Sequence, residues 1–418
     1  MKKILSVILA LTTVFSLFSF NSSAANEKTA KESLRFNEDG SFKILQISDI
    51  QDIVIFRPLT KIFITDLLEK ENPDLVVLTG DNIAPGASII KWLGKKSIDK
   101  FMCIFEEHEV PVAIVYGNHD AETRLNKEEQ WEIYESYSCF IGVRDSRELT
   151  GYGTYYLPVL SSEADKQKFT LWFFDSQEYN TENDLGGYGC VAKDQIEWYK
   201  ETESALAKEN GGKVIPSFAF QHIIPPEIFD VLCKVSKTDT ETGVVTPLNN
   251  KTPILGEKTV EDSVRVHYKM EQLITTDEGI TFGFPEKYAD EDTFLSETCC
   301  PPKYTNGQAD AFVEHGKVLG VAVGHDHKNS FVIPYKSLDI VQTPTASFGS
   351  YGDINRGARV ITLNEKNLSE YETDVIFFRD YYDLTDEKLY NRYVFNSDGA
   401  GFSAKDRIKA ALRYCFTK

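Results

Sequence analysis

Along this chain, continuous apolar runs alternate with amphipathic stretches of helical period. Phe42, Ile44, Leu45 and Ile47 form the first run, around KILQISD, and Asp49, Gln51 and Asp52 stand where it stops. A helical pattern follows from Pro58 to Glu71, with Ile62, Leu67 and Leu68 among its apolar positions and NPD ending it. LVVLTGDN, Leu75 to Asn82, reads as a fully apolar strand halted at Gly80 and Asp81. A helical segment from about Ala87 to Glu109 then leads into PVAIVYGNHD, Pro111 to Asp120. Apolar strands alternating with helices predict a largely parallel sheet covered on both faces. Ligands bind at the carboxyl ends of strands in such sheets, so the polar side chains at those ends should converge.

The second half repeats the pattern with more β content. FTLWFFDS (Phe169 to Ser176), a helix from Asp194 to about Asn210 and VIPSFAFQH (Val214 to His222) come first. A helix near Asn306 to His315 precedes VLGVAVGHDH, Val318 to His327, which ends in two histidines. SFVIPY, LDIVQTP and GARVITL read as consecutive strands of a second sheet. Between about 234 and 298 the chain is rich in Thr, Asp, Glu and Lys, as in SKTDTETGVVTPLNNKT. A structureless loop of that length is unusual in a compact domain, so an insertion with its own structure, a lid or rim, is expected. Residues 379–418 read as a C-terminal extension ending in a helix, Ala404 to Phe416.

Composition narrows the function. With 418 residues, 42% of them hydrophobic and 12% aromatic, the chain can bury a sizeable core. Its start carries Lys2 and Lys3, an apolar run to about Phe20 and small residues at Ser22 to Ala25. This is the pattern of a secretory signal over residues 1–25, cleaved after Ala24 or Ala25, with an uncleaved membrane anchor as the alternative. A polar linker, 26–40, follows, and the main domain is expected over 41–378. The mature protein is expected to be secreted, extracellular or in the cell envelope, away from the membrane once the signal is cleaved. Loss of Lys2 and Lys3 with no acidic residue takes the formal charge from -19 to -21, which argues against nucleic acid or anionic membrane as a general partner. Seven cysteines, an odd number spread along the chain, suggest neither a disulfide framework nor a metal knuckle.

Five strand ends offer Asp49 with Gln51, Asp81, Asn118 with His119 and Asp120, His222, and His325 with His327. Carboxylates, an amide oxygen and imidazoles form a mixed oxygen and nitrogen donor set suited to Mn, Fe, Zn or similar divalent ions rather than to thiolate chemistry. A carboxylate can bridge two such ions, and two-metal sites clamp a phosphoryl group during in-line displacement.

The phrases SDIQ, TGDN, YGNHDAE, FQH and VGHDH, in this order from Phe42 to Leu363, resemble the calcineurin-like metallophosphoesterases. GYGTYYLPV, LWFFDS and RGARV look closest to the purple acid phosphatase-like branch with plant, fungal and bacterial relatives. The resemblance implies an α/β four-layer sandwich, two β-sheets flanked by helices, and a phosphate ester as substrate. It assigns one metal to Asp49, Asp81 and His327, with Asp81 bridging, and a second to Asp81, Asn118, His222 and His325. A metal-bridging hydroxide would attack phosphorus. His119 would bind phosphate or protonate the leaving oxygen, and Asp120 would orient it by accepting its other N–H.

Gln51 departs from the pattern, because many members of the family carry histidine there. Glutamine offers only a weaker amide oxygen or contact through water, which favours Mg, Mn or Fe(II) over Zn. The purple enzymes carry a tyrosine shortly after GD and GDNIAPG holds none, so their colour is not expected. The activity expected first is phosphomonoester hydrolysis. Phosphodiester hydrolysis on the same centre, or a non-catalytic binding protein retaining the fold, are its rivals. His108, His267 and His315 read as surface residues, while the aromatics of GYGTYY and GGYGC are candidates for either a pocket rim or ordinary packing.

Overall fold

The computed structural model describes residues 33–144, 147–235, 244–247, 266–275 and 281–416. The expected signal and much of the expected insertion lie outside them, as does the side chain of His267. Chain order begins with β1 (Ser41–Ile47), α1 (Pro58–Glu71), β2 (Leu75–Thr79), α2 (Lys91–Glu107) and β3 (Val112–Val115). β1, β2 and β3 run parallel, and every residue of β2 and β3 is buried, as a sheet covered on both faces requires. α1 opens on Pro58, where a missing N–H is harmless, and ends at Asn72 in the left-handed region (φ 46°). α2 starts later than its pattern suggests: Pro85–Ser88 forms a separate 3-10 turn, and Ile89, Ile90 and Trp92 stay exposed. Apolar periodicity there continues past the point where burial begins.

α3 (Asn118–Ala121), α4 (Lys127–Glu135), β4 (Tyr155–Leu160), β5 (Gln167–Phe173), α5 (Lys193–Glu209) and β6 (Pro216–Phe220) follow. Next come α6 (Ile228–Val231), β7 (Cys233–Val235), β8 (Val244–Pro247), β9 (Val266–Thr275) and β10 (Thr281–Pro285). β7 to β10 close into a small barrel in the order β10-β7-β8-β9, so the insertion carries structure of its own. The chain then runs through α7 (Gln308–His315), β11 (Lys317–Val323), β12 (Phe331–Tyr335), β13 (Leu338–Gln342), β14 (Gly357–Asn364), β15 (Tyr371–Phe377), α8 (Phe378–Tyr381), α9 (Glu387–Asn396) and α10 (Ala404–Phe416).

Two mixed sheets result, β15-β14-β1-β2-β3 and β12-β13-β11-β6-β5-β4. The second has a parallel centre and antiparallel margins, while the first pairs β1, β2 and β3 in parallel and adds β14 and β15 antiparallel on the β1 side. This corrects one expectation: GARVITL does not continue the second sheet. As β14 it pairs antiparallel with β1 in the first, Gln46 opposite Arg359. Seven of its eight positions are buried or half-buried, as in any strand covered on both faces, and that pattern does not say which sheet the strand joins.

The two sheets share one apolar layer, in which Ile44, Val77 and Ile114 lie in the same cluster as Phe218, Phe220, Ala322 and Val341. Trp172, Phe174, Tyr199 and Phe312 form a second cluster on the outer side of the second sheet, against α5 and α7. Gln46 crosses the inner layer: its amide donates to Thr79 Oγ1 (3.0 Å) and Val323 O (3.1 Å), and it accepts from Thr343 Oγ1 (2.6 Å). A buried amide bonded on both sides ties the carboxyl ends of the two sheets together.

Leu34 and Phe36, from the stretch read as linker, are buried, and Arg35 bridges to Leu160. Phe378, Tyr393, Val394 and Ala410 bring the C-terminal segment into the same core. Fully buried Arg356 fixes that segment further, donating to the carbonyls of Ser347, Ser350 and Asp398. No helix among the described residues is long and apolar enough to cross a membrane.

Candidate dinuclear metal centre

The predicted side chains sit at the carboxyl ends of β1, β2, β3, β6 and β11, where the sheets turn into loops. Four of them require backbone that L-residues avoid: Asp49 (φ 54°), Gln51 (φ 37°), Asp81 (φ 50°) and His325 (φ 72°). A left-handed non-glycine residue costs on the order of 1–2 kcal/mol, and such strain concentrates at functional sites. The loops are laced together, Asp49 N donating to Gly80 O (3.2 Å) and Gln51 N to Asp81 O (2.9 Å). Gly80 and Gly117 allow the approach. A Cβ on Gly80 would lie 2.7 Å from Gly117 N and from His222 Nδ1, and one on Gly117 would lie 2.1 Å from Asp81 Oδ1. At Gly80 a positive φ of 88° adds a second reason for glycine.

Asp81 stands at the middle. Its Oδ1 accepts from His119 N (2.8 Å), while Oδ2 lies 3.2 Å from His222 Nε2 and accepts from Gln51 Nε2 (2.7 Å). Asp49 turns Oδ2 to Ser48 Oγ (2.5 Å) and His325 N (3.1 Å), leaving Oδ1 3.3 Å from His327 Nε2. Backbone carbonyls set two imidazoles. His222 Nδ1 donates to Thr79 O (2.8 Å) and His327 Nδ1 to Tyr351 O (2.8 Å), so Nε2 of each faces the carboxylates. His325 Nδ1 lies 3.3 Å from His222 Nε2.

Donor atoms of Asp49, Asp81 and His327 lie within 4.8 Å of one another, as do those of Asp81, His222 and His325. Two clusters sharing one carboxylate make a candidate site for two divalent ions. The fit is supported by atoms that the fold leaves unanswered: Asp49 Oδ1, Asn118 Oδ1 and His325 Nε2 are buried with no hydrogen-bond partner. Orphaned buried acceptors are costly, and cations would satisfy them. The oxygen and nitrogen donors match hard or borderline divalent ions.

The electrostatics follow the same geometry. Burial opposes charge on His222, but Asp81 and then Asp49 outweigh it and lift His222 to about 10. Burial and the neighbouring His222 push His325 down to about 3. Asp49 and Asp81 overcome the cost of burial and are held below the usual carboxylate range, Asp49 chiefly by His327 and Asp81 chiefly by His222. A proton on His222 thus occupies the position where a cation suits the donors, and metal binding displaces it.

One predicted role takes a different form. Asp120 does not orient His119. Its carboxylate accepts the backbone N–H groups of Asn82 (2.9 Å), Ile83 (3.2 Å) and Gly117 (2.8 Å), and burial, then Asp81, lifts it to about 7. The partner of His119 Nδ1 is Glu122 Oε2 at 2.7 Å, three residues on, because the short α3 brings i and i+3 to one side. Gln51 Nε2 donates to Asp81 Oδ2 at 2.7 Å, an amide donor meeting a carboxylate acceptor. Asp52, the next residue, is engaged with the N–H groups of Ile53 and Arg57.

The sequence pattern does not mark Glu122, Tyr179 or Tyr351 as residues of the site. Tyr351 stacks on His327 (3.9 Å, 15°), and Tyr188 meets His325 edge-on (4.3 Å, 84°). GGYGC therefore does supply a residue beside the site, through Tyr188. GYGTYY supplies packing: Tyr152 and Tyr155 stand edge-on to Trp131. His108 bonds Ile104 O and His315 is exposed, both away from the clusters.

With the site in view, comparison with known proteins agrees. The family described as calcineurin-like phosphoesterase matches residues 42–329, and the chain belongs to that family. It is similar to "Probable inactive purple acid phosphatase 29" of Arabidopsis thaliana, 24% identical over 375 residues covering 82% of each chain. It is also similar to "Phosphatase DCR2" of Saccharomyces cerevisiae, 28% identical over 244 residues covering 53% of this chain and 40% of the relative. Among solved structures, a dimetal phosphatase from Danio rerio aligns with TM-score 0.45 at 12% identity, over 80% of this chain and 98% of the other. The fold and the paired clusters are compatible with metal-dependent phosphoester hydrolysis.

Proposed function

We propose that this chain is an exported, metal-dependent phosphomonoesterase, with Asp49, Asp81 and His327 holding one ion and Asp81, Asn118, His222 and His325 the other. The observation that carries the reading is the shared Asp81 carboxylate among buried, unpartnered acceptors. Two divalent ions, when bound, supply an activated water and neutralise phosphoryl oxygens. The chain's own side chains do the rest. Carbonyl-anchored His222 and His327 keep their Nε2 atoms on the carboxylates, which fixes the geometry before substrate arrives. Gln51 holds one oxygen of Asp81 and the His119 N–H holds the other. His119, with a third of its side chain exposed and Nε2 4.0 Å from Asp81 Oδ2, can reach an ester oxygen from the solvent side. A group at that place can protonate a leaving alkoxide.

A second reading is a binding protein that retains the fold, favoured by the words "probable inactive" in the names of three Arabidopsis relatives. His119 favours catalysis, since metal binding alone needs no exposed imidazole at the centre's edge. The test is hydrolysis of p-nitrophenyl phosphate and of its bis-ester by protein stripped of metal and resupplied with Mn, Fe, Zn or Mg, with Asp81→Asn as the blank. Metal-restored turnover of the monoester, lost in the variant, is expected. Preference for the bis-ester would make it a phosphodiesterase, and bound metal without turnover would favour the binding protein. Export is tested by fractionating the producing cells and sequencing the mature N-terminus, expected at Ala25 or Asn26.

A further inference from the structure

His119 is held by a structure beyond the metal clusters. A carboxylate only accepts, so the 2.7 Å contact with Glu122 Oε2 places a proton on His119 Nδ1 and turns Nε2 toward Asp81. The other oxygen of Glu122 accepts from the Tyr179 hydroxyl. Tyr179 is fixed in turn: it pairs with Tyr188 across an antiparallel bridge, the two rings stack at 5.9 Å, and Tyr188 abuts His325. The adjoining Glu178 binds Lys127 (2.5 Å), which also holds fully buried Asp175 (2.7 Å). The loop after β5 is thus tied to α4 and to the metal clusters, and from there it reaches Glu122.

We propose that Glu122, braced by Tyr179, is the positioning residue for His119 in ester cleavage. The inference rests on the phosphoesterase reading above. In the reaction, the bond from phosphorus to the ester oxygen breaks and its electron pair stays on that oxygen. The oxygen takes the Nε2 proton of His119, water oxygen forms the new bond to phosphorus, and a proton from that water returns to Nε2. Ester and water become alcohol and phosphate. Glu122 keeps the imidazole aimed throughout.

Proton donation matters most when the leaving group is poor, so the test compares ethyl phosphate with dinitrophenyl phosphate, using Mn-loaded full-length protein. Glu122→Gln is expected to lower kcat/KM by on the order of tenfold or more for the ethyl ester and by no more than about threefold for the dinitrophenyl ester. Glu122→Asp should recover part of the loss, Tyr179→Phe should show a weaker form of the same selectivity, and bound metal should not change. Equal losses on both esters, or none on either, would overturn the proposal. A wild type that cleaves neither ester would sink the phosphoesterase reading. The placement of Glu122 is then decided by imidazole nitrogen NMR of Zn-loaded protein, where the protonated Nδ1 signature of His119 should be lost in Glu122→Ala, which has no acceptor, and its persistence would refute it.

Discussion

Gly117→Ala isolates the geometry of the shared carboxylate. The backbone at Gly117 (φ -101°, ψ -178°) suits alanine, so strain plays no part and the effect is one of space. The new Cβ would lie 2.1 Å from Asp81 Oδ1, 2.7 Å from Cγ and 2.4 Å from the Asp81 backbone nitrogen, against an ordinary contact of 3.4–4 Å. Rotation of the Asp81 side chain cannot clear the clash with its own backbone, so the loops after β2 and β3 must part. Displacement of about 1 Å at a reacting site costs on the order of a hundredfold in rate, and overpacking costs about 1–3 kcal/mol of stability. Asp81 serves both clusters, so both ions should bind more weakly. A ligand at a hundredfold excess over its Kd stabilises by about 2.7 kcal/mol, and a tenfold loss of affinity removes about 1.4 kcal/mol of that. The assay is thermal melting with and without Mn, with bound metal measured alongside. Gly86→Ala, whose Cβ would meet nothing within 4 Å, is the control. Gly117→Ala should lose several degrees of Tm and much of the Mn-induced rise. A variant with full metal content and the same Mn response as Gly86→Ala would refute the reasoning.

Two further outcomes concern the protein without metal and its C-terminal segment. In the metal-free protein His222 keeps its proton up to about 10, against 6.5 in the unfolded chain, so its contribution is complete below pH 6.5 and lost as pH rises toward 10. His325, pushed down to about 3, takes a proton only in the unfolded chain between about 3 and 6.5, so its contribution falls as pH drops through that range. Asp120, lifted to about 7, gains stability as pH drops over the same acid range and offsets His325, so the unopposed effect lies above pH 6.5: metal-free Tm should fall from there to pH 10, and a steady rise in melting curves would contradict the account. Ending the chain at Phe378 removes the Asp398 carbonyl from Arg356 and the Asp398 carboxylate from Arg57. Depriving buried Arg356 of that acceptor should alone cost about 1.5–3 kcal/mol, read as a lower Tm, and an unchanged melt would mean the segment is dispensable.

Much of this could be read from the sequence, because polar residues ending apolar strands leave a local signature. SDIQ, TGDN, GNHD, FQH and GHDH each stop a buried strand, and the fold brings their side chains together through parallel pairing within each sheet and the packing of the two sheets on one another. α1 and α10 fall where their patterns predict. What escaped depends on long-range placement. β14 has the composition of a central strand in either sheet, and only its pairing with β1 decides. Asp120 looked like the partner of His119 because it is adjacent, yet adjacency along α3 points the two side chains apart while i+3 brings Glu122 alongside. Tyr179 and Tyr351 reach the site from loops whose course no periodicity reports. The role of the last forty residues rests on Arg356, whose burial nothing in its neighbours announces.

The central claim is that two ions share Asp81. Titration of metal-free protein with Mn, followed by calorimetry and by elemental analysis of the desalted complex, tests it most directly, in wild type and in Asp81→Asn. Two ions per chain in the wild type, with both affinities reduced in the variant, is the predicted result. A single ion, or two that bind equally well without the Asp81 carboxylate, would contradict it.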